Sequence, residues 1–88
     1  IYMYGIMQTG WQMVNGKWYY LNSVGAMQTG WILKEEKSYF LNADGSMAIG
    51  WVNSQGIWYY FDQQTGVMQT NTYVDDGRYV NAEGALVP

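Results

Sequence analysis

A phrase of about twenty residues recurs along this chain, which commits it to a stack of small like units instead of one centralised core. Gly10-Trp11 returns as Gly30-Trp31 and again as Gly50-Trp51. Each pair is followed by an aromatic cluster: Trp18-Tyr19-Tyr20, then Ser38-Tyr39-Phe40, then Trp58-Tyr59-Tyr60. A Gly-x-Met phrase closes each unit, at Gly5-Ile6-Met7, Gly25-Ala26-Met27, Gly45-Ser46-Met47 and Gly66-Val67-Met68. No such unit can bury its apolar face alone, so each must pack on its neighbours. Stacking also repeats the gaps between units, so function is expected in a row of similar sites. The units run over 1–9 (partial), 10–29, 30–49, 50–70 and 71–88 (degenerate), all within a single module. Ile1 aligns with Leu21, so the chain opens inside a repeat and reads as a C-terminal piece of a longer protein.

Each unit reads as a β-hairpin. Asn15-Gly16 lies between Trp11-Gln12-Met13-Val14 and Lys17-Trp18-Tyr19-Tyr20-Leu21, and both turn residues tolerate the positive φ of a type I′ turn. Gln55-Gly56 and Asp76-Gly77 take the same place further on, and Glu35-Glu36 fills it in the second unit. A two-residue turn pairs Val14 with Lys17, Met13 with Trp18 and Trp11 with Tyr20. Alternation then puts Trp11, Met13, Trp18 and Tyr20 on one face, and Gln12, Val14, Lys17, Tyr19 and Leu21 on the other. Both faces carry apolar groups, and a lone hairpin is marginal in water. Successive hairpins are therefore expected to stack into an all-β solenoid. No sustained 3.6-residue pattern supports a helix, and eleven glycines punctuate the chain.

The aromatic share of 18% is supplied almost wholly by Trp and Tyr, whose rings join an apolar face to a polar edge. That suits half-open pockets better than a sealed interior. A net charge of -3 with no basic run argues against nucleic acid and anionic membrane surfaces as partners. No apolar run reaches the ~20 residues of a membrane span. The chain has no Cys and no His, so disulfides, thiol redox and the commonest metal ligand and general base are excluded. No metal site and no cofactor are expected.

Trp11 and Trp18, facing the same way on one hairpin, form two walls of a box. The Gly-x-Met loop offers a floor, and the next hairpin can add a third aromatic wall. Electron-rich faces with few donors suit a cation that cannot hydrogen-bond, namely a quaternary ammonium. Plain core packing is the alternative reading of the same stripe. The last unit has Thr72 where Gly-Trp is expected, yet keeps Tyr79 on the Trp18/Tyr20 side in either of its two alignments. It retains what is needed to complete its predecessor's pocket and little else.

The phrases Met27-Gln28-Thr29-Gly30-Trp31 and Gly16-Lys17-Trp18-Tyr19-Tyr20-Leu21 resemble the choline-binding, or cell-wall-binding, repeats. Such repeats occur in pneumococcal-type surface proteins, autolysins and phage lysins. The resemblance runs from Ile1 to about Leu86. It implies a left-handed superhelix with choline held between consecutive hairpins by two tryptophans, a tyrosine from the next hairpin and a loop methionine. On this chain it implies a first site of Trp11, Trp18, Met27 and Phe40, and a third of Trp51, Trp58, Met68 and Tyr79. A second site of Trp31, Met47 and Tyr60 has Ser38 in place of one tryptophan, and is expected to be weak or empty. The extra residue in Asp62-Gln63-Gln64-Thr65 bears on how Met68 is placed. The implied partner is choline or phosphocholine on teichoic and lipoteichoic acids, at the outer surface of a Gram-positive cell or on a lysin that attacks it. A homodimer paired through terminal hairpins is compatible with this layout.

Glucan or another wall polysaccharide is the rival ligand, because sugars also stack on Trp and Tyr. Asn22, Asn42 and Asp62 could supply its polar partners. Catalysis is not expected. Glu35 with Glu36, and Asp75 with Asp76, are neighbours in tight turns, a geometry that does not set two carboxylates across a substrate. Ser38 and Thr72 have no histidine to activate them. An enzyme could lie upstream.

Overall fold

The computed structural model describes residues 6–75 and 77–88 in full, and the backbone alone at 2–3. Ile1, Tyr4, Gly5 and Asp76 lie outside the described residues, and with them the alignment on Ile1, the start of the first glycine phrase and part of the last turn. Every regular element described is a strand, and the strands pair two by two. They are β1 (Tyr2–Met3) with β2 (Ile6–Met7), β3 (Gly10–Val14) with β4 (Lys17–Leu21), and β5 (Gly30–Lys34) with β6 (Lys37–Leu41). Then come β7 (Gly50–Ser54) with β8 (Ile57–Phe61), and β9 (Thr72–Val74) with β10 (Arg78–Val80). The chain divides into two compact units: Ile1–Ile32 with Phe40–Met47, and Leu33–Tyr39 with Ala48–Pro88.

In the first unit the register is the one the Asn-Gly turn dictates: Val14 faces Lys17, Met13 faces Trp18 and Trp11 faces Tyr20. Asn15 and Gly16 take φ of 51° and 82°, the pair of positive values a type I′ turn requires. After β4 the chain folds back on itself. Asn22 Oδ1 accepts from the amides of Val24 and Ala26, and Leu21 bridges to Met27. This Asx loop buries Leu21 at 1% exposure, and Leu41 reaches the same value in the next one. Asp44 stabilises that second loop by accepting from both the hydroxyl and the amide of Ser46, at 2.6 and 2.9 Å. Those bonds, the hydroxyl's foremost, hold the Asp44 carboxyl below the ordinary aspartate value. Residues 40–47 also join the first hairpin directly: the Met47 amide donates to the Trp18 carbonyl at 2.7 Å, and Tyr19 bridges Ser46.

The second unit repeats these devices. Trp51 faces Tyr60 and Ser54 faces Ile57 across Gln55-Gly56, whose φ values are 53° and 87°. Asp62 Oδ1 accepts from Gln64 and Thr65, and Asn81 Oδ1 from Glu83 and Ala85. The extra residue after Asp62 is absorbed inside the Asx loop. Phe61 still bridges Met68, and the Gln69 amide donates to the Tyr60 carbonyl just as Gln28 does to Tyr20. Phe61 and Val80 are fully buried, and Tyr60, Val74 and Val80 form a small core with Trp51 against it.

The fourth hairpin counted from β3, formed by β9 and β10, departs from the expected one. Val74 faces Arg78, so three residues separate the strands where the Asp76-Gly77 reading gives two. Tyr79 faces Tyr73, and the Val87 amide donates to the Tyr79 carbonyl as Gln69 does to Tyr60. The alignment on Gly84 is therefore the structural one. It makes Tyr79 the counterpart of Tyr60, and it puts Tyr73, not Thr72, in the place of the first tryptophan.

The Glu35-Glu36 turn holds without a glycine, at φ of 53° and 66°. Two such residues cost more in the left-handed region than Asn-Gly, and strand pairing offsets the strain.

Candidate functional site

Trp51 and Trp58 lie on one face of β7 and β8, a face that pleating makes common to Trp51, Asn53, Trp58 and Tyr60. Its Trp51 end is roofed by the fourth hairpin: Val74 and Val80 pack on Tyr60, and Asp75 Oδ2 accepts from Trp51 Nε1 at 3.3 Å. Towards the turn the fourth hairpin is too short to cover the face. A cleft of about 290 Å³ remains, lined by Trp51, Trp58, Arg78 and Leu86. The Leu86 amide donates to the Trp58 carbonyl at 2.8 Å, which anchors the floor to the wall.

This cleft brings together the two tryptophans of the expected third site, and its lining holds Arg78 and Leu86, not Tyr79 and Met68. Tyr79 points to the opposite side of its hairpin. It packs edge-on to Tyr73, with centroids 4.9 Å apart, and lines a neighbouring depression of about 470 Å³ with Gly77, Arg78, Leu86, Val87 and Pro88. Alternation explains the exchange. A hairpin that packs its Val74/Arg78/Val80 face on its predecessor must turn Tyr73 and Tyr79 away. The residue preceding Tyr79 therefore reaches the cleft. Aligning on Gly84 and asking which face meets the preceding hairpin would have found Arg78 from sequence.

Met68 is displaced in the same sense. Its thioether rests on Gly84, where a Cβ would stand 2.6 Å from the sulfur, and Gly84 has φ of +83°. Met27 likewise sits on Gly45, and Met7 on Gly25. These three methionines thus lie on the next loop's glycine. The residues bonded to Trp58 and Trp18 come from one loop later: Leu86 by Trp58, and Met47 by Trp18.

In the first unit Trp11 packs edge-on to Tyr20 at 5.0 Å, and Phe40 packs edge-on to Trp31 at 5.3 Å. Trp18, Trp31 and Trp58 are 38%, 42% and 45% exposed, too open for sealed core packing. The expected second site draws Trp31 and Met47 from the first unit and Tyr60, with Ser38, from the second. Tyr60 itself is buried, its ring edge-on to Trp51 and its hydroxyl accepting from Gln63 Nε2.

The polar residues that a sugar would need are spent on the loops. Asn22 and Asp62 each direct a side-chain oxygen to two backbone amides, and Asn42 Nδ2 donates to Ser46 Oγ. The Gln64 and Thr65 amides also hold the Asp62 carboxyl below its ordinary range, Thr65 contributing most.

A family model described as choline-binding repeat matches residues 8–49 and 34–73. Choline binding protein F of Streptococcus pneumoniae is 45% identical over 97% of this chain and 28% of its own, with a TM-score of 0.90. The choline binding domain of Spr1274 from Streptococcus pneumoniae is 40% identical over 92% of this chain and 96% of its own, at 0.83. A multimodular pneumococcal cell wall endolysin from phage Cp-1, solved in complex with choline, is 37% identical over 90% of this chain and 24% of its own, at 0.69. The chain spans about a quarter of the length of choline binding protein F and of the endolysin. A search of curated protein sequences finds no match.

Proposed function

The chain belongs to the choline-binding repeat family of non-catalytic cell-wall-binding modules, and on that premise we propose that it holds choline head groups in open, tryptophan-walled clefts. The observation that carries this reading is the cleft lined by Trp51 and Trp58, where a half-exposed indole and a partly buried one stand beside Leu86 and Arg78. A quaternary ammonium offers no N–H to satisfy and gains from π faces, at about 0.5–1 kcal/mol per exposed contact and ~2 when desolvated. Trp11 and Trp18 are the corresponding walls in the first unit, with Met47 beside Trp18.

A few such contacts, less the cost of association, support affinity nearer millimolar than nanomolar. Repetition along the chain turns weak single contacts into retention on a polymer that carries many head groups. Phosphocholine-bearing teichoic and lipoteichoic acids fit that description. The module would then anchor a surface protein or lysin at the wall of a Gram-positive cell.

Titration with choline, followed through the tryptophan indole N–H resonances, tests the proposal. Trp58 and Trp18 should shift at millimolar concentration, with a matching rise in Tm. A neutral alcohol of the same shape should do neither. Equal responses to both would remove the cation from the argument. Better retention on dextran than on a choline-analogue resin would favour the glucan reading, which the committed loop side chains of Asn22, Asn42 and Asp62 do not support.

A further inference from the structure

The cleft of the second unit is not a plain aromatic box, because a guanidinium stands in its lining. Arg78 holds the register place that Tyr19, Tyr39 and Tyr59 hold in the other hairpins, immediately before the residue that faces the first tryptophan. A bare cation entering beside Arg78 meets like-charge repulsion, which an attached anion would convert into attraction. The charges are also ordered in space. The Asp75 carboxylate sits at the Trp51 edge, accepting from Nε1, while Arg78 lines the cleft itself. An opening of about 290 Å³ has more room than a trimethylammonium group fills.

We propose that Arg78 reads the phosphate of a phosphocholine ester, so that this cleft takes the whole zwitterion in preference to the bare quaternary amine. The proposal rests on the reading that Trp51 and Trp58 hold the ammonium end. The planar fork of arginine donates two parallel bonds to phosphate oxygens, a role tyrosine at the same place cannot copy. The two-carbon linker of the ester lets its ends lie on the indoles and on Arg78 at once. Specificity then differs between units of one chain: the cleft at Arg78 selects the ester, whereas the first unit has no arginine.

The test compares choline, phosphocholine and glycerophosphocholine by chemical-shift titration at Trp58, in the wild type, Arg78→Met and Arg78→Lys. Arg78 is exposed, so both variants should keep the fold, which circular dichroism checks. In the wild type the esters should bind at Trp58 about tenfold more tightly than choline, a difference typical of one charge-assisted contact. Arg78→Met should bring that ratio close to one and improve binding of choline itself, and Arg78→Lys should fall between. An ester preference that survives Arg78→Met, or none in the wild type, overturns the role of Arg78. A Trp58 signal unmoved by all three ligands overturns the cleft reading instead. Phosphatidylcholine vesicles present the same head group on a lipid. Arg78-dependent cosedimentation with them assigns a lipid source, and its absence beside a glycerophosphocholine response assigns a soluble or polymer-borne ester.

Discussion

The third and fourth hairpins share a unit but keep different halves of the repeat. Strands β7 and β8 have five residues each and carry two indoles, whereas β9 and β10 have three each and carry none. Both retain the edge-on aromatic pair, at 5.0 Å for Trp51–Tyr60 and 4.9 Å for Tyr73–Tyr79. Both retain the Asx loop, and both bury one residue before it, Phe61 or Val80, at 0% exposure. What the fourth hairpin lacks is the stretch next to the turn, where Trp58 stands. The half near the loop therefore carries the buried core, and the half near the turn carries the exposed indole.

That division can be broken most directly at the buried positions. Phe61→Ala should cost about 3–5 kcal/mol and lower Tm sharply, while Ile57→Ala near the turn should stay within about 0.5 kcal/mol. Val80→Ala, the smaller counterpart of Phe61, should cost about 1–2 kcal/mol from its lost methyl groups. A thermal melt in which Ile57→Ala rivals Phe61→Ala would erase the distinction between the two halves. Next in size is Gly84→Ala, at about 1–2 kcal/mol from its left-handed backbone, plus the displacement of Met68. Adding Met68→Ala should recover the displacement and leave the backbone cost.

Trp58→Ala sharpens the comparison from the ligand side. It should weaken the choline response of its cleft about tenfold, the worth of one good π contact, with little change in Tm because the indole is half exposed. Tyr73→Ala, on the outer face of the fourth hairpin and 72% exposed, should leave choline titrations of that cleft unchanged. The smallest effect concerns the loops, where Asp62 in one hairpin meets Asn81 in the other. The folded Asp62 carboxyl lies below the ordinary value of 3.8, so its contribution is complete above that pH and is lost as pH falls through the folded value. Asp62→Asn should flatten the acid limb of a stability–pH curve while preserving the loop, as Asn81 already does without a titrating group.

The hairpins at Asn15-Gly16 and Gln55-Gly56, with their turns and register, were legible because alternation and turn chemistry act between near neighbours. Even Glu35-Glu36 yielded to the pattern around it. That two tryptophans share one face of a hairpin was legible for the same reason. Partners from the following unit were not, since the face one hairpin presents to another depends on packing that no local phrase records. Tyr79 carries the aromatic signal, yet Arg78 lines the cleft. Met68 follows Trp58 most closely in sequence, yet Leu86 lies against it. The last turn was misjudged by one residue because Asp76-Gly77 is a strong hairpin signal, whereas the pairing of Val74 with Arg78 is set by core contacts of Val74 and Val80.

The thioether seats have a consequence for how such chains change over generations. Met7 on Gly25, Met27 on Gly45 and Met68 on Gly84 all point the same way along the polypeptide. Any segment that offers a glycine behind and a methionine ahead has compatible ends with every other. Duplication or deletion of one segment therefore leaves a joint that already fits, and the count of hairpins can drift in whole steps. Side chains lining a cleft, such as Arg78, lie outside these joints and are free to diversify one at a time.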